Sequence, residues 1–205
     1  MDSPHTKVIS MTNFVDFVSS VGTARITAAR NIKSIYEKEY EPSKDYWKRL
    51  RDHIVEVHER NGSKNDLADL LEEAMPKGKL SNYHDRAQNY RSWWGRKEIT
   101  WLGTSCKQWV HDSLIVRVNP ELGIQINGSP YLVKLYFKGE GLSKAKSEVI
   151  LHLIDLKFNT PKRRFAPAIL DIRQRRLIEP SRAIAGIDVL LEGEALALLR
   201  MWNGL

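Results

Sequence analysis

Residues 118–139, VNPELGIQINGSPYLVKLYFKG, set one glutamate, Glu121, and two lysines, Lys134 and Lys138, on what reads as strand, turn and strand. Such a hairpin suits a catalytic site, a nucleic-acid surface or the spine of a sheet. A second acid lies near a lysine in Asp155-Leu156-Lys157. The densest chemistry is cationic. PKRRF at 161–165 supplies Lys162, Arg163 and Arg164, and RQRRL at 173–177 supplies Arg173, Arg175 and Arg176. Lys144 and Lys146, at the start of a predicted helix, are expected to join the same surface. Guanidinium groups on short turns grip phosphates in bidentate fashion, giving salt-sensitive binding with little sequence preference.

Other chemistries find little support. There is no HExxH, P-loop, nucleophile elbow or glycine-rich phosphate cradle. His53 and His58, five apart, diverge on a helix. His111-Asp112 reads as a turn pair, and His152 falls on a polar helical face. No metal site is expected. The single Cys106 cannot form an intramolecular disulfide and reads as a small buried residue beside Trp109. Arg25, Arg30 and Lys33 follow a glycine turn in SSVGTARITAARNIK, a pattern open to a helix-turn-helix reading. Six tryptophans, among them Trp93, Trp94, Trp101 and Trp109, are expected to pack the core rather than stack on bases.

The elements that must carry these groups change period near residue 97. Up to there the pattern is helical. Thr12 is the expected cap of a segment that Gly22 ends, and Pro42 breaks the next helix. Ser43 or Asp45 opens a helix with Trp47, Leu50, Ile54 and Val57 on one side, stopped by Asn61-Gly62-Ser63. Leu67, Leu70 and Leu71 mark another, ending before Pro76. Leu80, Tyr83, Ala87, Tyr90 and Trp94 share a further helical face. Residues 1–97 thus read as a helical bundle. Residues 98–205 read as a mainly antiparallel meander with Asn127-Gly128 as its hairpin turn and a bulge or bend at Pro120 and Gly123. An amphipathic helix capped by Ser143 follows, then a buried strand in FAPAILDIR with a short return, and a closing helix. The predicted class is α+β.

The 205 residues carry a net charge of +7. Residues 134–182 hold twelve Lys and Arg against five Asp and Glu, an excess equal to that of the whole chain. An anionic partner, nucleic acid and most simply DNA, is the expectation. With no leader-like start and no apolar run of about 20 residues, a cytoplasmic protein without membrane contact is expected.

In element order, residues 98–180 resemble the restriction-endonuclease-like, or PD-(D/E)xK, fold. Its common core is a helix, three antiparallel strands, a helix and a further strand. The resemblance implies an acid on the second strand and acid-x-Lys on the third, holding a divalent cation, with the lysine orienting or activating water. Pro120-Glu121 stands where the first acid belongs. On the strand YLVKLYFK, Leu132 precedes Lys134 by two and Tyr136 precedes Lys138, so the second acid is missing. The expectation is a nucleic-acid-associated protein with a degenerate nuclease-like domain and no cofactor, of the kind found in DNA processing and prokaryotic defence. One alternative is a Mg²⁺-dependent nuclease using Glu121, Asp155 and Lys157, which requires residues 148–158 to be a strand or to bend into the sheet. Another is a scaffold subunit that binds a protein partner, or a copy of itself, through the aromatic junction and the C-terminal helix.

Overall fold

The Asn127-Gly128 turn does what its sequence predicts: both residues have positive φ, 48° and 89°, and they join two antiparallel strands in tight register. The computed structural model around this hairpin describes residues 6–37, 45–68, 77–161 and 164–205. In chain order its elements are β1 (Lys7–Ser10), α1 (Met11–Val18), α2 (Ala24–Glu37), α3 (Lys48–Glu59), α4 (Lys77–Trp94), β2 (Ile99–Trp101), β3 (Lys107–His111) and β4 (Leu114–Val118). Then come β5 (Leu122–Ile126), β6 (Ser129–Tyr136), α5 (Lys144–Phe158), β7 (Ala166–Asp171), β8 (Arg176–Ile178) and α6 (Ile187–Gly204). The α+β class is as expected.

The strands form two sheets rather than one meander. A five-stranded sheet runs β2-β5-β6-β7-β8, and a three-stranded sheet runs β1-β4-β3. In the larger sheet only the β6–β7 pair is parallel, joined through α5; its other neighbours are antiparallel. The hairpin β3–β4 leaves the larger sheet because β4 pairs in parallel with β1, a four-residue strand that the sequence reading missed. Gly123 is no bulge: it sits in register opposite Leu132, and a Cβ there would lie 1.9 Å from the Gly103 carbonyl oxygen. Only glycine lets the two backbones approach so closely.

The pleat sends alternate residues of β6 into different cores. Leu132 joins one core with α1, α2, α5, α6 and the three-stranded sheet. Val133 and Leu135 join the other, on the opposite sheet face, with α3 and α4. The helices before residue 97 therefore do not form one bundle, and each core draws on both sides of the expected boundary at 97/98. Two local expectations shift. Ser10, not Thr12, caps α1, its hydroxyl accepting from the Asn13 amide, and α1 ends at Val18, before Gly22. Others hold: Ser143 caps α5, Asn61 has positive φ just past α3, and Leu50, Ile54 and Val57 are buried. Pro42, Ser43, Leu70, Leu71 and Pro76, and the side chain of Leu80, lie outside the described residues.

Candidate nucleic-acid interface and the closed carboxylate–lysine pair

The parallel pairing of β6 with β7 decides which functional groups meet. Tyr136 lies opposite Asp171, so both strands finish at one end of the sheet. At that end β5 and β8 begin, and the loop 137–143 leads into α5. Glu121, Lys138, Lys144, Lys146, Arg173, Arg175 and Arg176 belong to this end. Arg164 precedes β7 and belongs to the other. At about 3.3 Å per residue, roughly 17 Å of strand separates the two turns. The basic groups expected on one surface over 144–182 are thus divided, with Arg164 at the opposite end of β7 from Arg173, Arg175 and Arg176. Lys162 and Arg163 lie outside the described residues.

Within this end, Glu121 and Lys134 are spent on each other. The last registered pair of β5 and β6 is Leu122 with Val133; one step further places Glu121 across from Lys134, on the same sheet face. Lys134 Nζ donates to Glu121 Oε1 at 2.5 Å and to the Asn119 carbonyl oxygen at 3.2 Å. Glu121 Oε2 accepts from the Leu135 amide at 2.8 Å. The two side chains are only 11% and 8% exposed, so water has little access to the pair. Lys134 is thus held by an internal carboxylate rather than reaching solvent. Arg51 lies close enough to feel Glu121. Burial weakens its charge, but the Asp45 hydrogen bond and the charges of Asp45, Glu121 and Asp52 outweigh that and raise its pKa.

No contact joins Glu121 to Asp155 or Lys157. Residues 148–158 lie within the continuous helix α5, where Asp155 is exposed and accepts from Asn159 Nδ2 at 2.5 Å. Asp171, buried at the end of β7, accepts from the Gln174 amide and shapes the turn into β8. Among the described residues no three His, Cys, Asp or Glu side chains gather as metal ligands.

No protein-family model, curated protein or solved structure matches the chain. The reading therefore rests on side-chain geometry.

The predicted cations differ in availability. Arg175 and Arg176 are exposed, with Arg175 at a positive φ of 56° that turns the chain into β8. Arg173 is exposed and donates to the Gly139 carbonyl oxygen. Lys144 is 75% exposed, with Glu148 3.7 Å away on the next turn. Lys146 is engaged: its Nζ donates to Asp16 Oδ1 at 2.8 Å, while Lys138 donates to Asp16 Oδ2 at 2.9 Å. Sequence reasoning passed over Asp16, although it is the only charged residue of α1 and sits among Phe14, Val15 and Phe17.

The other residues singled out mostly make internal contacts, while Arg30 on α2 is exposed. His58 is buried, hydrogen-bonded to the Tyr90 hydroxyl at 2.6 Å and stacked on Trp94; burial lowers its pKa to about 4. His53 contacts the Asp66 carbonyl oxygen, His111 stacks on Trp109, and His152 meets Asp188 at 2.7 Å. Of the α2 cations, Arg25 pairs with Glu194 and Lys33 donates to the Trp202 carbonyl oxygen, so both tie α2 to α6. Trp93, Trp94 and Trp109 are buried. Cys106, expected to be buried, is exposed ahead of the edge strand β3.

Proposed function

We propose that the chain is a nucleic-acid-associated protein whose nuclease-like centre is closed and which holds the phosphate backbone without cutting it. The element series α4, β2, β5, β6, α5, β7 supports the resemblance to the restriction-endonuclease-like core, with β3–β4 as an insertion between the first and second strands. The observation that carries the reading is the Glu121–Lys134 pair. The resemblance assigns these residues to the metal-binding acid and the catalytic lysine, yet here each neutralises the other, and Leu132 occupies the second acid's position. A hard divalent cation needs several oxygen ligands and compensating charge, and one carboxylate already bound to an ammonium and an amide offers neither.

Binding is supported by Lys144, Arg173, Arg175 and Arg176, exposed at the same sheet end. Phosphate contacts of this kind are read from salt dependence. Arg175→Ala and Arg176→Ala are each expected to weaken binding of generic duplex DNA uniformly across sequences and to reduce the salt slope by about one. Unchanged affinity in the double variant would remove the surface from the account. The scaffold reading keeps one observation on its side: Val189, Leu190 and Leu196 are exposed on α6. Absence of DNA affinity at low salt would leave that reading in its place.

A further inference from the structure

We propose that Lys138 and Lys146 form a seat for one backbone phosphate, and that the chain's own Asp16 occupies it as an internal competitor. The inference rests on the nucleic-acid reading above and adds how that surface is held in check.

Each oxygen of the Asp16 carboxylate takes one ammonium, Oδ1 from Lys146 at 2.8 Å and Oδ2 from Lys138 at 2.9 Å. A phosphodiester presents the same feature, two non-bridging oxygens sharing one negative charge, so it can replace the carboxylate oxygen for oxygen. The seat lies where a phosphate can reach it. The side chains of Asp16, Lys138 and Lys146 are 35%, 39% and 21% exposed, and Arg173 donates to Gly139, the residue after Lys138. Lys144 stands two residues from Lys146, so an occupied seat continues the exposed cationic surface.

The three groups come from separate places in the chain. Asp16 projects from α1, whose neighbours Phe14, Val15 and Phe17 are buried in the core. Lys138 follows β6 and Lys146 is in the first turn of α5. The acid is thus delivered by an element outside the nuclease-like core. Burial opposes ionisation of Asp16, but hydrogen bonds and charges from Lys146 and Lys138 outweigh it and hold the carboxyl below its usual range. The seat is therefore filled at neutral pH. Glu140 lies 3.7 Å from Lys146 and 3.9 Å from Lys138. Its side chain is 63% exposed and can turn to water when a phosphate arrives.

The test is fluorescence anisotropy with a labelled generic DNA duplex over a salt series. It uses the wild-type chain, Asp16→Asn, and Asp16→Asn combined with Lys138→Gln and Lys146→Gln. Asp16→Asn is expected to bind about tenfold more tightly at low salt, as one added charge-assisted phosphate contact should. Its salt slope should steepen by about one. The triple variant should lose both gains. Asp16→Ser gives the same readout should the asparagine variant fail to fold, as judged by circular dichroism. Equal affinity of Asp16→Asn and wild type overturns the inference, and wild-type binding in the same experiment leaves the nucleic-acid reading standing. A gain that survives in the triple variant also overturns it, because the two lysines would then not be its source. If no variant binds, both readings fall.

Discussion

Removing either half of the Glu121–Lys134 pair should cost far more than removing both. Glu121→Gln keeps an acceptor for the Leu135 amide but leaves the Lys134 ammonium, 11% exposed, with only the Asn119 carbonyl oxygen and a neutral amide. Lys134→Met does the reverse, leaving a carboxylate 8% exposed with one backbone donor. A buried charge stripped of its partner costs about 3–5 kcal/mol. For a chain of 205 residues that corresponds to a fall in Tm of roughly 6–20 °C. The double variant Glu121→Gln/Lys134→Met carries no buried charge and still satisfies the Leu135 amide. Its stability should return to within about 1 kcal/mol of wild type, since neutral replacements of buried ion pairs are often harmless. Urea unfolding of the four proteins closes the cycle. If Glu121→Gln alone costs less than about 1 kcal/mol, the value of a solvated surface pair, Glu121 is not locked. Glu121 is then free to meet a cation.

Three further outcomes follow from the same geometry. His58 is neutral in the fold, with its pKa lowered by burial from 6.5 to about 4. Between those values the unfolded chain binds the extra proton, so stability falls as pH drops from 6.5 to 4, by about 3 kcal/mol. Denaturation across that window should show the loss in wild type, and His58→Gln should flatten that part of the slope. Gly123→Ala should destabilise by about 3 kcal/mol, the upper end for overpacking, because its Cβ would strike the Gly103 backbone; an unchanged urea midpoint would show that β2 and β5 separate easily. Arg175→Ala/Arg176→Ala should leave that midpoint unchanged while weakening DNA binding, since both side chains are exposed.

Local grammar was legible in several short stretches. Asn127-Gly128 fixed a hairpin, Ser143 started a helix, and Leu50, Ile54 and Val57 marked a buried face. What escaped depends on pairing between distant segments. β1 has four residues and no turn signals of its own, so nothing local announces that it pairs with β4, more than a hundred residues on. That one pairing draws β3–β4 out of the meander and sets α1 against α5. The helices before residue 97 are divided between two sheet faces for the same reason. The site was half legible. Glu121 and Lys134 were singled out, but Leu132–Lys134 and Tyr136–Lys138 stood as equal alternatives for the acid-x-Lys position, and the pairing of Glu121 with Lys134 needed the register of β5 on β6. Charge counting found the basic segment. It could not see that β7 separates Arg164 from Arg173, Arg175 and Arg176, or that Asp16 comes from α1 to claim Lys138 and Lys146.

The central claim is phosphate binding without cleavage, and a salt titration of the intact chain against a generic duplex, with and without Mg²⁺, tests it most directly. Four exposed cations, Lys144, Arg173, Arg175 and Arg176, predict a slope of log K against log salt between about −3 and −4. Mg²⁺ should weaken binding as any cation does, and the duplex should emerge intact. No affinity at low salt, or Mg²⁺-dependent strand breaks that disappear in Glu121→Gln, would contradict the account.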